Sequence, residues 1–132
     1  MPVNDPIADL LTRIRNAARN HAKNVKCLNS KVCRGVCDVL RDEGYIEGYD
    51  VIDDGRQGMI RVRLRYGDRG ESIIRTIKRA SKPGCRVYSK VRELPRPRQG
   101  LGVCVVSTSQ GVKSDRKCRE ERIGGELLAI VD

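Results

Sequence analysis

The 132-residue chain reads as an α+β protein of two small lobes, an N-terminal helix-strand-helix with a hairpin and a C-terminal lobe that is mostly β with a short helix. Three features point there. Apolar residues recur at helical spacing over residues 7–18 and 32–40, which lines one face of each segment. Residues 60–66 instead alternate apolar residue and arginine, the period of a half-buried strand. Near residue 75 the chain changes to a basic run punctuated by Pro and Gly, which leads into a second set of strands. That change sets the lobes at 1–74 and 75–132.

Asp5-Pro6 starts the first helix, since Asp accepts a first-turn amide and Pro fills a position that needs no amide donor. Ile7, Leu10, Leu11, Ile14 and Ala18 form its inward face, with Arg13, Asn16 and Arg19 outside. A basic polar loop follows. Ser30 caps a second helix that runs to about residue 43, with Val32, Val36, Val39 and Leu40 inward and Gly44 as the left-handed stop. Cys33 and Cys37, four apart on that helix, read as small core residues.

Residues 45–52 read as a strand and Asp53-Asp54-Gly55-Arg56-Gln57-Gly58 as its turn. On the return strand Ile60, Val62, Leu64 and Tyr66 face inward, while Arg61, Arg63 and Arg65 meet solvent or a polyanion. Gly67-Asp68-Arg69-Gly70 breaks the pattern ahead of a short strand at 71–77.

Over residues 75–98 nine basic residues stand against Glu93 alone, a local net charge of +8 in a chain whose total is +10. Within this run Ser81-Lys82-Pro83-Gly84 makes a turn and Arg86-Val87-Tyr88 a short strand, and Leu94-Pro95-Arg96-Pro97-Arg98 stops any helix begun near Lys90. Residues 100–106 read as a buried strand around Val103, Cys104, Val105 and Val106, which runs into Ser107-Thr108-Ser109. Ser114 caps a short charged helix to about residue 122, Gly124-Gly125 turns the chain, and 126–131 is the last strand.

With 27 Lys and Arg against 17 Asp and Glu, the summed field attracts polyanions, and nucleic acid leads that class. A local cluster such as 75–98 can neutralise neighbouring phosphates and release their counterions. No stretch approaches the roughly 18 apolar residues of a membrane span, so no membrane partner is expected. Met1-Pro2-Val3-Asn4-Asp5 lacks the charged start and apolar middle of a signal peptide. A cytoplasmic location is therefore expected, with Cys27, Cys33, Cys37, Cys85, Cys104 and Cys118 reduced.

Those cysteines show no Cys-x-x-Cys spacing and His21 is the only histidine, so neither a structural metal nor a cofactor is expected. Catalysis needs a tuned acid, base or nucleophile, and candidates are few. Asp53 and Asp54, beside Gly55, match turn formers. Gly100-Leu101-Gly102 lacks the strand-to-helix setting of a nucleotide loop. Ser107-Thr108-Ser109 has no base beside it, but hydroxyls at a strand end backed by Gly111 suit bonds to ribose, base edges and phosphate. An enzyme is not expected. An RNA-processing enzyme would have to work through Asp53, Asp54 or His21, and a general DNA-binding module would need a reading helix that the chain does not display.

Four segments resemble the bacterial family of the eighth small-subunit ribosomal protein, in order and over essentially the full length. They are Asp5-Pro6-Ile7-Ala8-Asp9-Leu10-Leu11-Thr12-Arg13-Ile14-Arg15-Asn16-Ala17, Ser81-Lys82-Pro83-Gly84-Cys85-Arg86-Val87-Tyr88, Val105-Val106-Ser107-Thr108-Ser109-Gln110-Gly111-Val112 and Gly124-Gly125-Glu126. The resemblance implies a structural protein of the cytoplasmic ribosome that binds the central domain of small-subunit rRNA, helps nucleate assembly beside neighbouring small-subunit proteins, and in some bacteria represses its own operon mRNA. It assigns Ser107, Thr108 and Ser109 to an irregular RNA helix, with Gly124, Gly125 and Glu126 beside them and Arg86 and Tyr88 on the same surface. Thr12, Arg15, Asn16 and Lys31 match positions near backbone phosphates. Two departures stand out: Lys113 replaces the usual methionine, and Leu128-Ala129-Ile130-Val131-Asp132 replaces an aromatic-rich ending, with Lys113 able to add a phosphate contact.

Overall fold

In the computed structural model, which describes residues 5–132, both long helices begin where their caps place them. Asp5 accepts a hydrogen bond from the Ala8 amide at 3.2 Å, Pro6 occupies the first turn, and α1 spans Pro6–Arg19 with Leu10, Leu11, Ile14, Ala17 and Ala18 buried. The basic segment that follows is not all loop, as expected from its polarity, but contains β1 (Asn24–Leu28). Ser30 accepts from the Cys33 amide at 3.1 Å to start α2 (Lys31–Asp42), which buries Cys33, Val36, Cys37, Val39 and Leu40. Val32, expected inward, is 38% exposed: it lies on the same line of the helix as buried Val39, but at the start of α2 that line faces an open groove and not packed neighbours.

The hairpin forms as β2 (Ile46–Ile52) and β3 (Met59–Leu64), and β1 pairs with the other edge of β3, giving an antiparallel sheet in the order β1-β3-β2. Only Cys27 of β1 is buried, so the strand carries little alternation of its own and exists because β3 offers a ladder from Asn24↔Arg63 to Leu28↔Met59. Asp53 accepts from the Gly55 amide, and Asp54 from those of Arg56 and Gly58, at 2.9–3.0 Å. Both carboxylates are turn formers.

The strand expected at 71–77 lies further along, as β4 (Ile77–Arg79). Residues 71–76 make only one bridge, between Tyr66 and Ser72, whereas 77–79 meet a partner strand. Then come β5 (Tyr88–Ser89), a single 3₁₀ turn at Val91–Glu93, a tight turn at Pro97–Gly100 with Arg98 and Gln99 in the left-handed region, β6 (Val103–Thr108), β7 (Gly111–Ser114), α3 (Asp115–Glu121) and β8 (Gly125–Val131). The turn at Pro97–Gly100 delays β6 to Val103 from the expected 100. No sequence pattern announces β7, which forms by folding back on β6 across a two-residue turn.

The second sheet runs β4-β8-β6-β7, with β5 pairing the start of β8 along the edge whose far end pairs β4. One continuous core joins α1, α2 and the first sheet to Ile77, Val103, Val105, Leu128, Ala129 and Val131 of the second. Cys104 and Val106 point the other way, into a smaller cluster with Leu94, Cys118 and Leu127 beneath α3. β6 is therefore buried on both faces, which explains its unbroken apolar run.

Candidate nucleic-acid interface

The first residues of β8 lie between β5 and β6, with Tyr88 opposite Glu126 and Glu126 opposite Ser107. Directly paired residues share a face of the sheet, so these three form a row about 10 Å wide. The two glycines beside the row permit it. A Cβ on Gly124 would lie 2.4 Å from the Ser89 carbonyl oxygen, and one on Gly125 would lie 2.1 Å from that of Ser107. Neither has a positive φ, so they allow close strand approach and do not turn the chain as expected; the reversal is made at Arg122, with φ 54°.

The three hydroxyls differ in availability. Thr108 closes the β6–β7 turn, donating to the Gly111 carbonyl at 2.7 Å and accepting from the Gln110 amide at 3.1 Å. Ser107 is half-buried, Ser109 is exposed, and neither hydroxyl has a hydrogen-bond partner among the described residues. The hairpin forms one wall of a groove whose other wall is α2, and Lys31, Val32 and Arg34 line it opposite Ser107 and Ser109. α2 comes this close because residue 35 is glycine: a Cβ there would sit 2.7 Å from Val112. Sequence reasoning missed Arg34, whose one signal is its position a helical turn after Lys31. It donates to Asn29 Oδ1 at 2.8 Å.

Glu126 is held from two sides. Ser81 donates to its Oε2 at 2.6 Å and Arg86 at 3.0 Å. Burial works to raise its pKa, but the hydrogen bonds from Ser81 and Arg86, with the charges of Arg86 and Arg79, outweigh burial and hold the carboxyl below the ordinary glutamate value. Beside it Tyr88 is 70% exposed, a large aromatic face left in water.

Thr12, Arg15 and Asn16 stand apart from this group. Thr12 and Asn16 lie exposed on α1, and the Arg15 guanidinium donates to the Ile77 carbonyl. With Arg19, Arg75 and Lys78, Arg15 lines a basic groove beside β4. That groove adjoins the Val131 end of β8, about 17 Å along the strand from Glu126. The arginine face of β3 is partly neutralised, because Arg63 and Arg61 reach Asp50 at 2.5 and 3.2 Å and hold its carboxyl below the usual aspartate range.

Of the nine cations at 75–98, Arg79 pairs with Asp5, Arg86 with Glu126 and Arg98 with Asp132. The other six, Arg75, Lys78, Lys82, Lys90, Arg92 and Arg96, are exposed and have no ion-pair partner among the described residues. Lys113 is engaged by Glu121, and Asp132 accepts from the Thr76 hydroxyl, so both departures from the family pattern serve internal contacts.

Reactive groups are buried or isolated. Burial pushes the Cys27 and Cys104 thiols up to about 12 and raises those of Cys37, Cys33 and Cys118, while Cys85 is exposed. His21 is exposed, its ring 5.7 Å from that of Tyr66. Among the described residues no three His, Cys, Asp or Glu side chains gather as a metal site, and no helix is long and apolar enough to cross a membrane.

Fold and surface together define a basic α+β protein whose surface carries unpartnered hydroxyls, a bare aromatic ring and cations without an ion-pair partner among the described residues. Residues 5–131 match the family described as Ribosomal protein S8, and the chain belongs to that family, a structural ribosomal component and not an enzyme. It is 50% identical to the small ribosomal subunit protein uS8 of Natranaerobius thermophilus, 47% identical to that of Clostridioides difficile and 45% identical to that of Streptococcus equi subsp. zooepidemicus. Each likeness covers 99% of both chains.

Proposed function

We propose that this chain binds the central domain of small-subunit rRNA directly and supports assembly of the subunit, with residues 75–132 as the rRNA-binding lobe and 1–74 as the lobe that braces it. The row Tyr88, Glu126 and Ser107, continued by Ser109 and flanked by Gly124, Gly125 and Arg86, carries this reading. It combines a stacking face with hydroxyls and a carboxylate that can bond ribose and base edges, while cations around it neutralise phosphate. Thr108 shapes the turn that presents Ser109. Across the groove Lys31 adds a phosphate contact, and Thr12, Arg15 and Asn16 take backbone phosphates at the far end of β8. Neighbouring small-subunit proteins and the chain's own operon mRNA are the further partners.

Stacking predicts the test. Tyr88→Ala weakens binding to a central-domain rRNA fragment by about 1–3 kcal/mol in fluorescence anisotropy at fixed salt. A protein that binds a DNA duplex as tightly as that fragment, or that is indifferent to loss of Tyr88, does not have this function.

A further inference from the structure

Ser81 belongs to none of the surfaces described so far. Its side chain is wholly buried, at 0% exposure, and a buried hydroxyl persists only with partners. It has two. The hydroxyl donates to Glu126 Oε2 at 2.6 Å and accepts from the Val87 amide at 3.1 Å, while the Ser81 backbone amide bonds the Leu127 carbonyl at 2.9 Å. One oxygen thus ties β8 to the residue before β5, across the Lys82–Cys85 turn.

The choice of carboxylate oxygen matters. Arg86 also bonds Oε2, at 3.0 Å, so both donors converge on one oxygen and Oε1 has no hydrogen-bond partner among the described residues. An ionised carboxylate accepts hydrogen bonds and repels phosphate, so on a nucleic acid Oε1 can take only a donor, which is an amino or imino N–H of a base or a hydroxyl. The minor-groove face of RNA offers the ribose 2′-hydroxyl, which DNA lacks. Ser81 and Arg86, with Arg79 behind them, also keep the carboxyl in its charged, accepting form.

We infer that Ser81 is a positioning residue for discrimination of RNA from DNA: it anchors Glu126 through Oε2 and leaves Oε1 as the acceptor for a ribose hydroxyl beside Tyr88. The inference rests on the reading that this face binds RNA. Without the Ser81 hydroxyl the carboxylate keeps only Arg86, a half-exposed side chain, and its free oxygen is no longer held in one place.

The test is a double-mutant cycle on a central-domain rRNA hairpin and on copies carrying single 2′-deoxy substitutions, using wild type, Ser81→Ala, Glu126→Ala and the double variant. Wild type should lose about tenfold in affinity at the contacted ribose, as for a hydrogen bond to a charged group. Glu126→Ala should abolish that penalty, Ser81→Ala should shrink it severalfold, and the double variant should match Glu126→Ala. Circular dichroism verifies folding. If Ser81→Ala does not fold, Ser81→Cys takes its place, with a penalty expected between those of wild type and Glu126→Ala. A serine variant that binds every hairpin more weakly but keeps the full 2′-deoxy penalty overturns the positioning role. A wild type with no 2′-deoxy penalty that Glu126→Ala removes would instead overturn the placement of Glu126 in the RNA site, a separate result.

Discussion

Replacing Gly125 by alanine puts a methyl group where the sheet has no room. The added Cβ would lie 2.1 Å from the Ser107 carbonyl oxygen, 3.0 Å from its carbon and 3.2 Å from Val106 Cγ1. Ordinary contact begins near 3.4 Å, so β6 and β8 must separate by more than 1 Å at this register, enough to break a ladder hydrogen bond. Overpacking of this kind costs about 1–3 kcal/mol, and a lost hydrogen bond adds about 1 kcal/mol. The sum, about 2–4 kcal/mol, lowers Tm by on the order of 10 °C for a domain of this size. Thermal unfolding by circular dichroism measures it. Gly84→Ala is the control, since its Cβ meets nothing within 4 Å and its φ is not positive, and it should stay within about 0.5 kcal/mol of wild type. Equal melting of the Gly125 variant and wild type would refute the close-approach account.

Other parts of the molecule make their own predictions. Asp115, 1% exposed, accepts from the Cys104 amide at 3.0 Å and pairs with Arg119 at 2.7 Å; Asp115→Ala should cost about 3–5 kcal/mol in urea unfolding, and a neutral result would contradict the pairing. Glu126 titrates below its ordinary value of 4.5 when folded, so its stabilising contribution is complete above that pH and is lost as pH falls through the folded value. Glu126→Gln should therefore be less stable than wild type at neutral pH, with a gap in melting temperature that closes in acid; a constant gap would argue against the shift. In the native protein Cys85 alone should react rapidly with iodoacetamide, and all six cysteines should react after denaturation, as mass spectrometry would show.

What could be read from the sequence were the elements whose signals are local. Asp5 and Ser30 cap the helices they predict, the alternation at 60–66 marks β3, and Asp53 and Asp54 form their turn. β1, β4 and β7 carry no such signal, because β3, β8 and β6 respectively supply the partner that makes them strands. A glycine pair also looks the same whether it turns a chain or admits a neighbouring strand, and the atoms opposite Gly124 and Gly125 decide between these. For the candidate site, order along the chain could not show that Lys31 faces Ser107 across a groove while Arg15 lies at the other end of β8. Arg34 and Ser81 were hidden for the same reason, since their partners are set by the packing of α2 on β7 and of residue 81 on β8.

Specific rRNA recognition through the hydroxyls at the end of β6 predicts a complex that resists competition by other nucleic acids. A labelled central-domain rRNA fragment is held by the wild-type protein or by Ser107→Ala/Ser109→Ala at physiological salt and challenged with excess tRNA and duplex DNA. The wild-type complex should survive both competitors, while the double substitution weakens binding of the fragment and leaves the weak binding of the competitors unchanged. Equal displacement by tRNA or DNA, or an unaltered double variant, would contradict it and leave only a generic attraction of a +10 protein for polyanions.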